Sequence, residues 1–448
     1  MIKLGQYMRL QVILFVITLR PFFSIAQVPN PALIGYFQNW HTTNTPYIQL
    51  DQIDPRYNII DVAFAIPQAG TDYKMEFIPY LVSPATFISQ IQVLQSQGKK
   101  VLISMGGATA PVSLDNITER DSFITSMSGI INMYGFDGID IDFEGASLAV
   151  SGGTISSPVD QPVINLIYAV KQIMANYFTL HNKRLILTMA PETAFVQGGQ
   201  SSYGGIWGAY LPLIDALRDS LEILHVQLYN SGSMYGVDGS IYTQGTADFI
   251  VAMCEAVIQG FNTVGGAFAG LPPHKVAVGL PSCTLAAGGG FTDTAIVKSA
   301  VDYLRGNGIQ PGSYSLVNTS GYPSFRGMMT WSINWDAVAS CGGVYEYAEN
   351  FENIFSTTTS IASIHTAKKY FIPNPQSSNN LVEVKFNGVN KSPIVFILNN
   401  NLGQLLRTET CSAGVTNFKM NTGILQSGIY YLESESHDGV FTDKIVVE

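Results

Sequence analysis

Charge is scarce in this chain. Only 12% of its 448 residues are charged, about half the usual share. Basic residues are scarcer still, 23 Lys and Arg against 33 Asp and Glu, for a net charge of −10. That excludes the basic footprint of a nucleic-acid binder and attachment to an anionic membrane by charge. Cysteine is sparse too: Cys254, Cys283, Cys341 and Cys411 form no Cys-x-x-Cys pair and have no paired histidines, so a thiolate metal site is not expected. An exported protein permits disulfides, but the four read more simply as buried free thiols. No segment after the N-terminus is long and apolar enough to span a bilayer, which takes about 20 residues. What is abundant is hydrophobic mass, 46%, with 11% aromatics and 42 glycines. A chain of this composition folds around a large core and is not disordered. Its polar remainder is mostly neutral, as suits a surface that handles uncharged polymers.

Residues 1–26 carry Lys3 and Arg9, an apolar run at 10–19, and Ser24-Ile25-Ala26 before Gln27. Small residues at −3 and −1 behind a short apolar run are the pattern of a cleaved secretory signal. From residue 32 to about 340, within a catalytic domain expected at 27–372, a unit recurs. Eight apolar, strand-like runs, 33–40, 58–67, 101–107, 138–144, 185–192, 225–230, 276–282 and 327–336, alternate with helical patterns such as 84–97, 119–134, 163–180, 246–261 and 293–305. Apolar strands alternating with helices imply a parallel sheet covered on both faces. Eight units over about 310 residues predict an α/β fold, a (β/α)8 TIM barrel. A doubly wound open sheet is the competitor, and no glycine-rich nucleotide fingerprint follows the first strand to support it. Most runs end in polar, aromatic or glycine residues, and a barrel gathers its site at those ends. Three of the four tryptophans, Trp40, Trp331 and Trp335, fall on barrel runs, and Trp207 follows the fifth. After a linker at 373–380, residues 381–448 switch to short strand-like runs with turns and no helical period. This predicts a small antiparallel β-sandwich.

The chemistry concentrates in Asp137-Gly138-Ile139-Asp140-Ile141-Asp142-Phe143-Glu144. Alternation on a strand puts Asp140, Asp142 and Glu144 on one face and the apolar residues on the other. Carboxyls spaced about 6–7 Å along a strand cannot all ionise cheaply in a barrel interior. One keeps its proton, and Glu144, nearest the open end, is the natural donor. A protonated carboxyl beside an ionised one is what glycosidic cleavage needs. Three carboxyls could instead hold Mg²⁺ or Ca²⁺, but no ligand-rich loop completes a shell. Neither a metal nor a cofactor is expected.

The run Asp137-x-x-Asp140-x-Asp142-x-Glu144 resembles the signature of glycoside hydrolase family 18, the chitinases and their relatives. Ser104-Met105-Gly106-Gly107, Met189-Ala190-Pro191-Glu192, Gln227-x-Tyr229-Asn230 and Trp331-Ser332-x-x-Trp335-Asp336 resemble its third, fifth, sixth and eighth strand ends. The resemblance implies substrate-assisted retaining hydrolysis, an exception to the two-carboxylate rule. Glu144 would be the acid and then the base, Asp142 would orient the substrate acetamide, and Asp140 would share a proton with Asp142 in a coupled titration. Tyr229 would donate to the acetamido oxygen and Trp331 would floor the sugar site. Met189, Gln227, Asn230, Tyr36 and Trp40 would line it. Asp137 would support the motif. Ser104 reads as a hydrogen-bond partner and not a nucleophile, with His225 placed at the closed end of the sixth strand.

Two departures stand out. Many members have Met-x-Tyr-Asp where this chain has Gln227-x-Tyr229-Asn230, an amide form that resembles one bacterial subgroup. Many also insert an α+β domain between strands seven and eight, where this chain has only residues 283–326. A shallow, open groove and cleavage of internal bonds are then expected. In the tail, Pro373-Asn374-Pro375, Gly403-Gln404, Gly428-Ile429-Tyr430-Tyr431 and Lys444-Ile445-Val446-Val447 resemble the sorting domain of the type IX secretion system. A carbohydrate-binding module is the alternative, and the tail lacks the tryptophans such modules display. The resemblances imply a monomeric chitinase exported across the outer membrane to the medium or cell surface. Its partners would be chitin or N-acetylglucosamine oligosaccharides and the export machinery. The alternatives are an endo-β-N-acetylglucosaminidase on N-glycans and a non-catalytic chitin-binding lectin.

Overall fold

The structure, a computed structural model, describes residues 28–356, 370–372, 381–386, 388–390, 393–400, 405–423, 425–436 and 439–447. The expected signal at 1–26 and linker at 373–380 lie outside the described residues. Among those described, no helix is long and apolar enough to cross a membrane. The chain forms two compact units, 1–355 and 356–448.

The first unit is built on eight parallel strands: β1 (Ala32–Gln38), β2 (Ile59–Pro67), β3 (Lys100–Gly106), β4 (Gly138–Asp142), β5 (Ile186–Met189), β6 (Ile223–Leu224), β7 (Ala277–Pro281) and β8 (Gly327–Trp331). Each pairs with the next from β1 to β6, and β7 pairs with β8, which pairs back to β1. Single parallel bridges, Leu224 to Val276 and Gln227 to Gly279, close the barrel between β6 and β7. Seven of the eight strands overlap the predicted runs. The sixth differs: regular pairing ends at Leu224, and 225–230 continues as isolated bonds, with Gln227 N–H donating to the Pro191 carbonyl and Leu228 N–H to that of Gly279. Pro191 has no N–H to return, so the reciprocal ladder breaks there. The eighth strand is also shorter than predicted, and Ile333–Asp336 turns into a helix capped by Ser332.

Helices α1 (Pro84–Ser96), α2 (Ile117–Tyr134), α3 (Gln161–His181), α4 (Leu211–Leu217), α5 (Ala247–Gln259), α6 (Thr294–Leu304) and α7 (Glu346–Phe355) lie on the connections. The sequence marks their ends. Asn116 and Glu119 form a reciprocal capping box at the start of α2, and Gly135 closes it in a left-handed conformation, φ 74°. Strands β1, β4 and β7 are buried along their whole length, as a sheet covered on both sides requires. Outward residues such as Val62, Ile103, Ile141 and Leu187 pack with Phe123, Met127, Ile131 and Ile173 of the helices. Inward residues such as Ile34, Ile59, Leu102, Ile223 and Met329 fill the barrel. A fully buried side chain of this size contributes about 1.5–3 kcal/mol, so either layer alone is a substantial core.

The cysteine expectation is corrected. Cys283 and Cys341 form a disulfide, while Cys254 and Cys411 are buried and free. The bonded pair is 58 residues apart, and the parallel pairing of β7 with β8 brings the loops that follow them together.

The second unit holds two antiparallel sheets. One orders β9 (Tyr370–Phe371), β10 (Leu381–Phe386) and β13 (Asn417–Asn421); the other orders β12 (Leu405–Cys411), β11 (Ile394–Asn400), β14 (Gly428–Ser436) and β15 (Gly439–Val447). Alternation in β10 and β11 sends Val382, Val384, Phe396 and Leu398 into a shared core with Met420, Leu432 and Ile445.

Candidate active site

At the C-terminal ends of the barrel strands lies an open cleft of about 560 Å³. Asp142, Glu144, Gln227, Tyr229, Asn230, Trp40 and Trp331 all line it, brought together from β1, β4, the 225–230 segment and β8. Among the described residues, α6 is the only helix between β7 and β8, and no strand is added there.

The acidic column begins below the cleft. Asp140 is fully buried and accepts three hydroxyl hydrogen bonds, from Tyr36 (2.6 Å), Ser104 (2.7 Å) and Thr188 (2.7 Å). Asp142 is 2% exposed. Burial, then the charges of Glu144 and Asp140, push its carboxyl well above the usual range. Glu144 is raised as well, by burial first, with Glu192 adding repulsion. Each of the two carboxyls shifts the other's hold on its proton. Gln227 ties them: its Nε2 donates to Asp142 Oδ1 at 2.8 Å, to Glu144 Oε1 at 3.2 Å and to the Ala190 carbonyl at 2.9 Å. At the base of the strand, Asp137 accepts from Val101 N–H and Gln95 and lies away from the cleft.

The turn that carries Glu144 is clamped from outside. The Tyr210 hydroxyl accepts from Phe143 N–H at 2.7 Å and donates to the Phe143 carbonyl at 3.0 Å. The paired glycines at the end of β3 have a steric cause. A Cβ on Gly106 would lie 2.8 Å from the Asp142 carbonyl, and one on Gly107 would lie 2.8 Å from the Phe64 ring. Both hold positive φ, 96° and 84°, which glycine adopts freely. Phe64 is thereby free to stack on Trp331, centroids 5.9 Å apart and planes at 13°, and on Trp40 at 6.1 Å. These three rings form an apolar wall beside the carboxyls.

Asn230, at φ 53°, is held by the loop after β7: its N–H donates to the Gly289 carbonyl, and its Oδ1 accepts from Gly289 N–H. The Cys283–Cys341 disulfide anchors that same loop.

Three expectations require correction. Tyr36 does not line the cleft; it is buried beneath it, bonded to Asp140. Met189 does not line it either. Alternation on β5 turns Thr188 and Ala190 inward and packs Met189 in the layer between strands and helices. His225 is not at the closed end but inside the barrel, its Nε2 3.5 Å from Asp140 Oδ1 and 3.6 Å from Asp61 Oδ2. Of the Trp331–Trp335 pair, only Trp331 lines the cleft. Sequence reasoning missed Phe64, Tyr210 and Asp61. Asp61 left one readable signal, a charged residue inside the apolar run of β2.

Comparison with known proteins agrees with this geometry. Residues 32–372 match the glycosyl hydrolases family 18. Residues 370–448 match the secretion system C-terminal sorting domain, a signal for export across the outer membrane. Chitinase Chi52 of Paenibacillus xylanexedens is 48% identical over 311 residues, 68% of this chain and 58% of its own length. Chitinase D of Niallia circulans is 47% identical over 319 residues, 69% of this chain and 60% of its own. The chain thus spans less than two thirds of the length of these relatives. A solved family GH18 chitinase from Chromobacterium violaceum superposes with a TM-score of 0.64 at 38% identity, covering 73% of this chain and 84% of that one. The chain belongs to the glycosyl hydrolases of family 18.

Proposed function

We propose that the protein is an exported, endo-acting chitinase that cuts internal β-1,4 bonds of N-acetylglucosamine polymers. The observation that carries this reading is the ladder Asp140, Asp142 and Glu144. It rises from the barrel interior to the cleft floor, and its two upper carboxyls are held above their ordinary range beside one another. A pair of coupled carboxyls that retains a proton near neutral pH supplies both an acid and an anion.

In the proposed reaction Glu144 protonates the glycosidic oxygen and the C–O bond breaks. The substrate's own acetamido oxygen attacks the anomeric carbon and forms a cyclic oxazolinium ion. Asp142, turned toward Glu144, accepts from the acetamido N–H and offsets the positive charge. Glu144, now ionised, takes a proton from water, whose oxygen reopens the ring with net retention. Tyr229 donates to the acetamido oxygen, Trp331 and Trp40 stack on the apolar sugar faces, and Gln227 and Asn230 orient the groups around them. The open cleft suits binding of a polymer along its length.

The names of the relatives, chitinases from two bacteria, support the substrate class. In this reading the chain comprises a signal at 1–26, a barrel to 372, a linker at 373–380 and a sorting domain at 381–448. It acts as a monomer in the medium or at the cell surface. The test is the anomer first released from N-acetylglucosamine hexamer, read by proton NMR. Early β-anomer, with dimer to tetramer products together, supports the proposal. The α-anomer first, or dimers alone from one end, contradicts it.

A further inference from the structure

Barrel interiors of this kind are filled mainly by branched aliphatic side chains. Here one stretch of the interior holds Tyr36, Asp61, Ser104, Asp140, Thr188 and His225 instead, all buried. The hydroxyls of Tyr36, Ser104 and Thr188 are accounted for by Asp140. Asp61 and His225 are not: among the described residues, both carboxyl oxygens and both ring nitrogens lack a hydrogen-bond partner. Burying such groups unpaired costs several kcal/mol. The groups they face at close range are each other, 3.6 Å apart, and Asp140, 3.5 Å from the same His225 nitrogen.

We propose that Asp61, His225 and Asp140 share one proton inside the barrel, and that Asp61 and His225 are positioning residues which set how much negative charge Asp140 presents to Asp142. This rests on the hydrolase reading above and deepens it. The balance is simple. With the proton on Asp61 Oδ2, on His225 Nε2 or on Asp140 Oδ1, the trio carries a net charge of −1. Each move breaks one O–H or N–H bond and forms another across about 3.5 Å. When the proton reaches Asp140, the anion beneath Asp142 is quenched and Asp142 ionises more readily. When it returns to His225 or Asp61, Asp140 is an anion again, and Asp142 holds its own proton more firmly.

The physical setting supports exchange. Burial, then Asp140, raises the Asp61 carboxyl well above its usual range, and burial lowers the His225 imidazole. Groups that normally differ by more than two pH units are drawn together. The titratable groups facing the trio are Tyr36 from β1 and Asp142 from β4, with Glu144 beyond. β3 and β5 add the hydroxyls of Ser104 and Thr188, while β7 and β8 contribute Ala277 and Met329 to this interior, neither titratable. The same three residues could ligate a metal, since their donor atoms lie within 4.8 Å of one another.

The test is the pH dependence of kcat/KM on N-acetylglucosamine hexamer for the full chain, Asp61→Asn, His225→Gln and the double variant. Either single change removes one of the proton's resting places and breaks the sharing, so the acidic limb should move by about one pH unit. The double variant should move it no further. Limbs that stay in place while only the amplitude falls, or shifts that add, overturn the proposal. A second readout needs no variant of the trio and no turnover: ¹⁵N NMR of the His225 imidazole in Glu144→Gln. An intermediate nitrogen shift that moves when hexamer binds is expected. A fixed neutral ring, with or without hexamer, overturns it. So does stoichiometric zinc or manganese in the purified protein whose removal abolishes activity. If the wild-type chain hydrolyses no hexamer while the imidazole shift is intermediate, the function reading fails and the shared proton stands.

Discussion

Replacing Gln227 by methionine tests the electrostatics of the site without emptying it. The two side chains are close in volume, and the change removes the amide that donates to Asp142, Glu144 and the Ala190 carbonyl. Burial is the main force lifting both carboxyls, and the Gln227 amide opposes it at each. A hydrogen bond to an ionised group is worth about 1.5–3 kcal/mol. One NH₂ with two hydrogens serves three acceptors here, so the lower figure applies. At 1.36 kcal/mol per pH unit, about 1.5 kcal/mol moves a titration by roughly one unit. The sign follows from the donor: losing it disfavours the charged forms, so both carboxyls hold their protons to higher pH. The bell of kcat/KM on N-acetylglucosamine hexamer should therefore shift upward as a whole, and its two limbs belong to the coupled pair. The measurement is a pH profile from about pH 3 to 10. Limbs that remain at their wild-type positions would refute the claim that Gln227 sets the charge of the pair.

Other outcomes follow from the same geometry. Glu144→Gln should lower kcat by at least about 10²–10⁴-fold while calorimetry still detects hexamer binding. Asp142→Asn should raise the melting temperature at pH 7. The native Asp142 carboxyl is held above its unfolded value, so its ionisation costs stability as pH rises, and the gain should vanish below about pH 4 by scanning calorimetry. Cys283→Ser opens a loop of 58 residues, an entropic loss of about 4 kcal/mol. It should lower the denaturation midpoint and loosen Asn230 through the loop that holds it. Deleting 376–448 should leave hexamer cleavage intact and strand the protein in the periplasm, checked by fractionation.

The sequence made legible whatever depends on local periodicity. The order of strands and helices, the acidic face of β4 and the gathering of strand ends followed from alternation and apolar spacing. What it concealed depended on contacts between distant segments. Met189 sits in a matching motif, yet its place in the pleat turns it away from the cleft. The motif resemblance places Tyr36 at the cleft surface, but the interior carboxylate claims its hydroxyl. Read as a whole strand, 225–230 places His225 at the closed end. The ladder breaks opposite Pro191 instead, and the histidine lies level with Asp140. Phe64 and Tyr210 look like ordinary core residues until the glycine pair and the Phe143 backbone bring the site against them. The Cys283–Cys341 bond is invisible to spacing because the pairing of β7 with β8 creates it.

In the proposed function this barrel cleaves chitin chains with Glu144 as its acid. Mass spectrometry of products from N-acetylglucosamine hexamer and from an N-glycopeptide, comparing residues 27–375 with its Glu144→Gln variant, tests it most directly. The hexamer should be cut by the first and untouched by the second, and the glycopeptide should survive both. Release of glycan from the glycopeptide with the hexamer intact, or binding of the hexamer with no cleavage by either protein, would contradict it.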